Sequence, residues 1–471
     1  MTALRPSRLA PTATLLATML LAICGAPAEG QTSDLTQQVE IRRTKYGIPH
    51  IKAENLRAAG FGLGYVQVED YGDRVIRGLI AARGELGRTF GPGEMESDFL
   101  SRLDHARAVE MYHLLDPGVR DILEGFAEGV NHYIRVHGDA LPDWAKPVFT
   151  GHDVTARDVG SAGGAQRFLQ RIRGNAGDVA ADPGDAEEGS NAWALAPSRT
   201  RSGKAILLRN PHLAWDAGYY EAHVTVAGVL NFYGDFRIGG PFGIIGGFNE
   251  HLGWSTTNNA PDTDEVYALD VDPERPDHYL FDGASVPIRR VPVTIEFTNG
   301  QGLGLESRDV LRTPLGPVIH RGNGKIYVLR AAGDGEYRMG EQLLGMMKAT
   351  SLEEWKAAMR VRARTTSNFT YADRRGNIFY VWNGSVPALP HGSGGDTAAV
   401  PARTSADVWT RLVPFDSLPM VLNPKGGYIH QENDSFHFTN MNEPLDAARY
   451  PVNFTQPSLR LRSQHAIGLL H

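Results

Sequence analysis

The stretch Gly189-Ser190-Asn191-Ala192-Trp193-Ala194-Leu195, which opens the longer run GSNAWALAPSRTRSGKAILLRNPHLAW over residues 189–215, decides how the rest of the chain is read. A serine stands between an acidic segment and strand-like sequence. Upstream, NAGDVAADPGDAEEG over residues 175–189 is acidic, small and free of large apolar side chains, the composition of a linker or an excisable spacer. Downstream, Ala205 to Leu208 is an apolar run. If the chain were cut before Ser190, that serine would carry its own α-amine, a base of pKa about 7.7–8.0. One residue would then supply nucleophile and base together. The plain alternative is a serine that begins a strand after a loop, since turn serines are common.

Ahead of the spacer the sequence is mostly helical after a short strand at Ile41. Val119, Ile122, Leu123, Phe126, Val130, Tyr133 and Ile134 fall on one face of a 3.6-residue helix that Gly138 ends, and Asn55 is placed to cap an earlier helix running towards Gly87. Behind the spacer the period changes. Val293, Ile295 and Phe297 alternate with polar residues before Asn299-Gly300, and Asn368 to Trp382 reads as a hairpin turning at Arg374-Arg375-Gly376. The 53 glycines and 28 prolines suit many turns between short strands. A helical front, an acidic hinge and a β-rich back follow.

The N-terminus carries Arg5 and Arg8, an apolar run from Ala13 to Ile23 and a small-residue cleavage site at Ala26-Pro27-Ala28. This predicts a secretory leader over residues 1–28 and an exported protein, periplasmic or secreted, with an N-terminal membrane anchor as the alternative. The one cysteine, Cys24, falls in the leader, so thiol chemistry, disulfides and Cys-ligated zinc are excluded from the mature chain. The net charge of −7, without any Lys/Arg block, argues against a nucleic-acid partner. No G-x-S-x-G elbow, phosphate-binding G-x-x-x-x-G-K-[ST] loop or H-E-x-x-H pair is present.

The run over residues 189–215 resembles the nucleophile region of the penicillin and cephalosporin acylase family of N-terminal nucleophile hydrolases, which includes acyl-homoserine-lactone acylases. IRRTKYGIPHIKAENLRAAGFGLGYVQVED (residues 41–70) is similar to the family's start and IIGGFNEHLGWSTTNNAPDTDEVYALDVD (244–272) to the stretch after the nucleophile. YADRRGNIFYVWNG (371–384) and NPKGGYIHQENDSF (423–436) look like its later blocks. The resemblance implies an α+β fold, an αββα sandwich of two antiparallel sheets with a helical N-terminal chain wrapped around it. It further implies a precursor cut into an alpha chain (29–174), a spacer (175–189) and a beta chain (190–471). A small-molecule acyl amide is the implied substrate, with no organic cofactor and no membrane contact after leader removal.

Residue by residue, Ser190 matches the nucleophile that self-cleavage exposes. Asn258 matches the position whose backbone N–H forms half of the oxyanion hole, and Asn433 the one whose side-chain amide forms the other half. Such an amide donates to a developing oxyanion without a proton equilibrium of its own. His212 matches a position near the nucleophile, where it hydrogen-bonds the serine or its amine or is a structural histidine. Arg462 matches an arginine that orients the oxyanion asparagine and the free amine, a plain surface arginine being the alternative. Asp262 and Glu265 match carboxylates that bind calcium in some members, although calcium needs six to eight oxygens.

The sequence also departs from the family. Thr256 stands where many relatives carry histidine beside the acyl pocket, and Thr257-Asn258-Asn259 is more polar than their usual Thr-Val-Asn. Relatives continue beyond the block containing Arg462, whereas this sequence stops at His471. The beta chain is therefore expected to lack the family's C-terminal part, and a non-catalytic, acylase-like binding protein is the second functional reading.

Overall fold

The computed structural model describes residues 34–160, 166–172, 189–214, 218–451 and 453–470. The expected leader (1–28) and residues 175–188 of the expected spacer lie outside these. Helix formation in the front half follows the sequence signals. Asn55 Oδ1 accepts the Ala58 N–H at 2.9 Å and opens the helix Leu56–Tyr71. The expected single helix towards Gly87 is two, because Gly72 at φ 48° breaks it before Asp73–Arg83 begins. The long amphipathic helix is Pro117–His137, and Gly138 follows it.

Helices Leu56–Tyr71 and Pro117–His137 pack backbone to backbone on glycines. A Cβ on Gly125 would lie 1.9 Å from the Arg57 carbonyl oxygen, and one on Gly129 2.0 Å from that of Phe61. Backbone cannot yield there as a side chain would. Gly125→Ala should therefore destabilise the fold by about 3 kcal/mol, the upper range for overpacking. An unchanged urea midpoint for that variant would sink this account of the helix pair.

These helices cover one face of a nine-stranded sheet. Its order is Val39–Arg43, Pro49–Ala53, Tyr219–Val226, Leu230–Arg237, Gly243–Phe248, Leu252–Thr257, Thr366–Asp373, Ile378–Gly384 and Met420–Leu422. Val66, Ile122, Phe126, Phe232, Trp254, Trp355 and Tyr371 belong to the core between them. Over the other face, against Leu252–Thr257 and Thr366–Asp373, lies a three-stranded sheet of Tyr428–Gln431, Gly189–Leu195 and Ile206–His212. Ser190, Ala192 and Ala194 are the buried, alternate residues of its middle strand. Beyond it, helix Leu461–Leu470 contacts Tyr428–Gln431.

The α+β class holds, but two antiparallel sheets become three, and not every pair is antiparallel. Pro49–Ala53 pairs in parallel with Tyr219–Val226, joining the front of the chain to the back. The expected hairpins are present, with Asn299 opposite Gly302 and Thr366–Asp373 paired to Ile378–Gly384. The first of them belongs to a separate eight-stranded sheet, part of which packs around Tyr267, Leu269, Ile326, Val328 and Trp409. Alternation in Val293, Ile295 and Phe297 reports that a strand has a buried face; it carries no information about which core receives that face. Residues from Leu35 onward form one compact unit.

Candidate active site

Strand alternation turns the Ser190 side chain into the gap between the small and large sheets, where the residue is 8% exposed. Its hydroxyl donates to the Gly189 carbonyl oxygen at 2.6 Å, so Oγ already lies against the peptide group expected to be cut. Its backbone N–H donates to Asn433 Oδ1 at 2.7 Å. Gly189 has a steric reason to be glycine. A Cβ there would lie 2.8 Å from Arg462 Nη2 and 2.9 Å from Asn433 Oδ1.

Arg462, in the first turn of helix Leu461–Leu470, fixes this corner. Its Nη1 donates to Ser190 O at 2.9 Å and Asn191 Oδ1 at 3.0 Å. Its Nη2 donates to Glu432 O and Asn433 Oδ1, both at 2.7 Å. Because guanidinium only donates, this contact sets the orientation of the Asn433 amide: Oδ1 faces Arg462 and Ser190, and Nδ2 faces outward. Nδ2 then reaches Asn258 O at 3.0 Å, beside the backbone N–H expected to be its partner donor. Asn433 has φ 67°, a left-handed conformation that asparagine tolerates better than most residues. Arg460 clamps the same turn through Asn433 O and the buried Asp434 carboxylate, each at 2.9 Å.

His212 sits across the strand pair from Gly189. Its Nε2 faces Asn210 Oδ1 at 2.6 Å, and Arg462 Nη1 lies 3.4 Å from its Nδ1. Burial, then the charge of Arg462, lowers the imidazole pKa below its ordinary value, so the ring is neutral at pH 7. Ser190 is not among its hydrogen-bond partners in the uncut chain. Thr256 is buried and its hydroxyl donates to Ile245 O at 2.8 Å.

Asp262 and Glu265 come together, but their described bonds are to donors. Ser393 Oγ donates to Asp262 Oδ2 at 2.8 Å and to Glu265 Oε1 at 3.1 Å, and the Gly394 N–H reaches Glu265 at 3.1 Å. Among the described residues no group of three or more His, Cys, Asp or Glu is placed to hold a metal. Two carboxylates bridged by one hydroxyl, with an amide on Glu265, fall short of the six to eight oxygens calcium takes. As arranged, the pair does not fit a calcium site.

Sequence reading missed the layer beneath. Buried Asn368 donates to Thr257 Oγ1 at 3.0 Å and Asn258 O at 3.2 Å, and accepts from Tyr380 at 2.6 Å. Buried Glu432 takes Trp193 Nε1 at 2.5 Å and His430 Nδ1 at 2.8 Å, tying the turn before Asn433 to the nucleophile strand. The only sequence signal was that Glu432 and Asp434 flank Asn433. The cavity of about 470 Å³ lined by Leu207, Phe248 and Trp254 does not include Ser190.

A Gly189→Ala change should displace Arg462 and Asn433 together. We expect slower conversion to the cut form with little loss of secondary structure. Conversion at the wild-type rate would show that the close approach at Gly189 is immaterial.

Residues 38–470 match the family model described as penicillin amidase. The chain is 28% identical to an acyl-homoserine lactone acylase PvdQ of Pseudomonas fluorescens, over 92% of this chain and 63% of that protein. It is 27% identical to aculeacin-A acylase of Actinoplanes utahensis, over 89% of this chain and 62% of that protein. With penicillin G acylase of Escherichia coli the identity is 31%, over 52% of this chain and 29% of that protein. Among solved structures, thermostable penicillin G acylase from Alcaligenes faecalis aligns with a TM-score of 0.45 and 25% identity, covering 54% of this chain and 46% of that chain. The chain thus spans a little under two thirds of the first two of these relatives. By the match over residues 38–470, it belongs to the penicillin amidase family.

Proposed function

We propose that this chain is an exported, self-processing acylase. It would hydrolyse the acyl amide of a small molecule, such as a β-lactam or an N-acyl-homoserine lactone, through a Ser190 acyl-enzyme. The observation that carries the proposal is the arrangement at Ser190: Oγ against the Gly189 carbonyl, and N–H on an Asn433 amide oriented by Arg462. The names of the relatives, all acylases, support the reaction class. The layering of helices, large sheet, small sheet and helix supports an αββα sandwich around the site.

In the first step Oγ attacks the Gly189 carbonyl carbon. The Gly189–Ser190 C–N bond breaks, the proton passes to the departing nitrogen, and an ester to Oγ remains. Water hydrolyses that ester, leaving a Gly189 carboxylate and a free Ser190 amine. In turnover this amine takes the Oγ proton as Oγ attacks the substrate carbonyl. The Asn258 N–H and Asn433 Nδ2 hold the oxyanion. The protonated amine then protonates the leaving amine, and water releases the acid from the acyl-enzyme.

Intact mass and N-terminal sequencing of the purified protein test the proposal. Two pieces are expected, the second beginning at Ser190. An uncut chain that hydrolyses amides would overturn the self-processing step. An uncut and inactive chain would favour the binding-protein reading.

A further inference from the structure

Sheet register sets two histidines face to face at the seam between the front and the back of the chain. His50 pairs with His223 across the parallel strands Pro49–Ala53 and Tyr219–Val226. Ile51, Ala53, Val224 and Val226 belong to the core shared with the helices, so by alternation the two imidazoles stand on the opposite face of the large sheet, half-buried. Their Nδ1 atoms are 2.9 Å apart, and the rings are set at 88° to one another. Three strand spacings, roughly 14 Å, separate Tyr219–Val226 from Leu252–Thr257, the strand that leads to Asn258. The pair therefore stands outside the candidate active site.

Neighbouring groups fix which nitrogens face each other. Asn231 Nδ2 donates to Glu250 Oε1 at 2.9 Å, and because a carboxylate only accepts, Asn231 Oδ1 is turned towards His223 Nε2, 2.8 Å away. His223 Nε2 therefore carries a proton. The gap between the two Nδ1 atoms holds one more, so in the neutral pair His50 Nδ1 donates and His223 Nδ1 offers a lone pair. An imidazole whose far nitrogen is anchored on an oxygen in this way is held as metal-ligating histidines are held. The separation bears on geometry. Imidazole–metal bonds of about 2.0–2.1 Å put two nitrogens about 2.9 Å apart at a right angle and about 3.3 Å apart at the tetrahedral angle. The pair has the right-angled separation, that of tetragonal copper(II) and nickel(II) sites. Both rings border a cavity of about 260 Å³ that Glu40 and Arg42 also line, with Arg42 Nε on Glu40 Oε1 at 2.6 Å. That space admits an ion and its waters.

We propose that His50 and His223 bind a divalent transition-metal ion through their Nδ1 atoms, copper(II) in preference to nickel(II) or zinc(II). The preference follows from the general order of divalent-ion affinities and from the right-angled separation. On binding, each ring turns about its Cβ–Cγ bond until the two Nδ1 lone pairs converge on the ion. The His50 Nδ1 proton passes through water to His50 Nε2, so the neutral pair releases no net proton. Waters take the remaining positions. His50 precedes the spacer and His223 follows it, so the ion clips together the two pieces of a cut chain. That consequence, unlike the site itself, rests on the self-processing reading.

Copper(II) alone is the probe, and the Ser190→Ala chain is the host, so that a freed Ser190 amine contributes no ligand. Calorimetry should find one tight site, and electron paramagnetic resonance two imidazole nitrogens on the copper. Adding His50→Gln keeps a donor for His223 Nδ1 but removes a ligand. It should weaken the site by about a hundredfold or more, the advantage of two joined ligands over one, and leave one nitrogen in the spectrum. Because the chain has 16 histidines, copper taken up equally by both proteins is adventitious and is subtracted. Asn231→Leu leaves both ligands and removes the acceptor for His223 Nε2; it should weaken binding by about tenfold, and Asn231→Asp should restore it. Equal copper affinity and equal spectra with and without His50→Gln overturn the proposal. In the cut wild type, copper(II) should raise the urea concentration at which the pieces separate, and EDTA should reverse the rise. An unmoved midpoint in a cut protein that holds the ion overturns the clip. A copper site in a wild-type chain that is never cut keeps the site and rejects self-processing. A cut, amide-hydrolysing protein without the copper site does the reverse.

Discussion

Ser190→Ala is expected to accumulate as a single uncut chain without acylase activity, while the wild type is converted to two. The hydroxyl is placed against the Gly189 carbonyl, at 2.6 Å, and alanine removes it while leaving the Ser190 N–H partner, Asn433, in position. Strand pairing does not depend on that oxygen, so the fold should persist. Ser190→Cys, which keeps a nucleophile, should still cut. In the wild type the pieces should stay together after cutting. The parallel pairing of Pro49–Ala53 with Tyr219–Val226 joins residues from opposite sides of the spacer, and helices Leu56–Tyr71 and Pro117–His137 share a core with Phe232 and Trp254. Separation would expose that core to water at about 25 cal/mol per Å² of apolar surface. Intact mass under denaturing conditions, set beside the native mass, checks both statements. Cleavage of purified Ser190→Ala at the same bond would rule out the serine as the attacking group.

Much of this was legible in the sequence where the signal was local. Asn55 as a cap, the apolar stripe from Val119 to Ile134, and the turns at Asn299-Gly300 and Arg374 to Gly376 are each set by neighbours a few residues away, and each appears where periodicity places it. Sheet membership was not legible. The strands Arg289–Asn299 and Ile206–His212 both read as strands, yet one joins an eight-stranded sheet and the other a three-stranded one. Their partners lie far along the chain, and alternation is silent about them. At the site, Ser190, Asn433 and Arg462 meet, while Asp262 and Glu265 meet each other over Ser393. Motif resemblance conveyed positions; it could not convey that Gly189 is glycine because Arg462 and Asn433 leave no room for a Cβ. Nor could it find Asn368, a buried asparagine whose value lies in holding the Asn258 carbonyl from the next strand.

Asn433→Ala should lower kcat by about 10²–10³ with KM comparatively unchanged, the effect of one lost oxyanion donor. Two other changes accompany that loss and have to be separated from it. Alanine at φ 67° is strained by about 1–2 kcal/mol, and both Arg462 and the Ser190 nitrogen lose the acceptor Oδ1. Asn433→Gly removes the strain but supplies no donor. If the donor matters, the glycine variant is as slow as the alanine variant although its melting temperature is higher. If strain were the cause, glycine would restore the rate. Asn433→Asp separates the acceptor from the donor: a carboxylate still accepts from Arg462 and the amine but repels an oxyanion, so it should cut kcat at least as deeply as alanine. Rates must be normalised to the fraction of chain cut before Ser190, measured by intact mass, because the same residue also holds the serine during processing. A near-normal kcat per cut molecule in Asn433→Ala would remove Asn433 from the oxyanion site and leave it as the turn residue that positions Arg462.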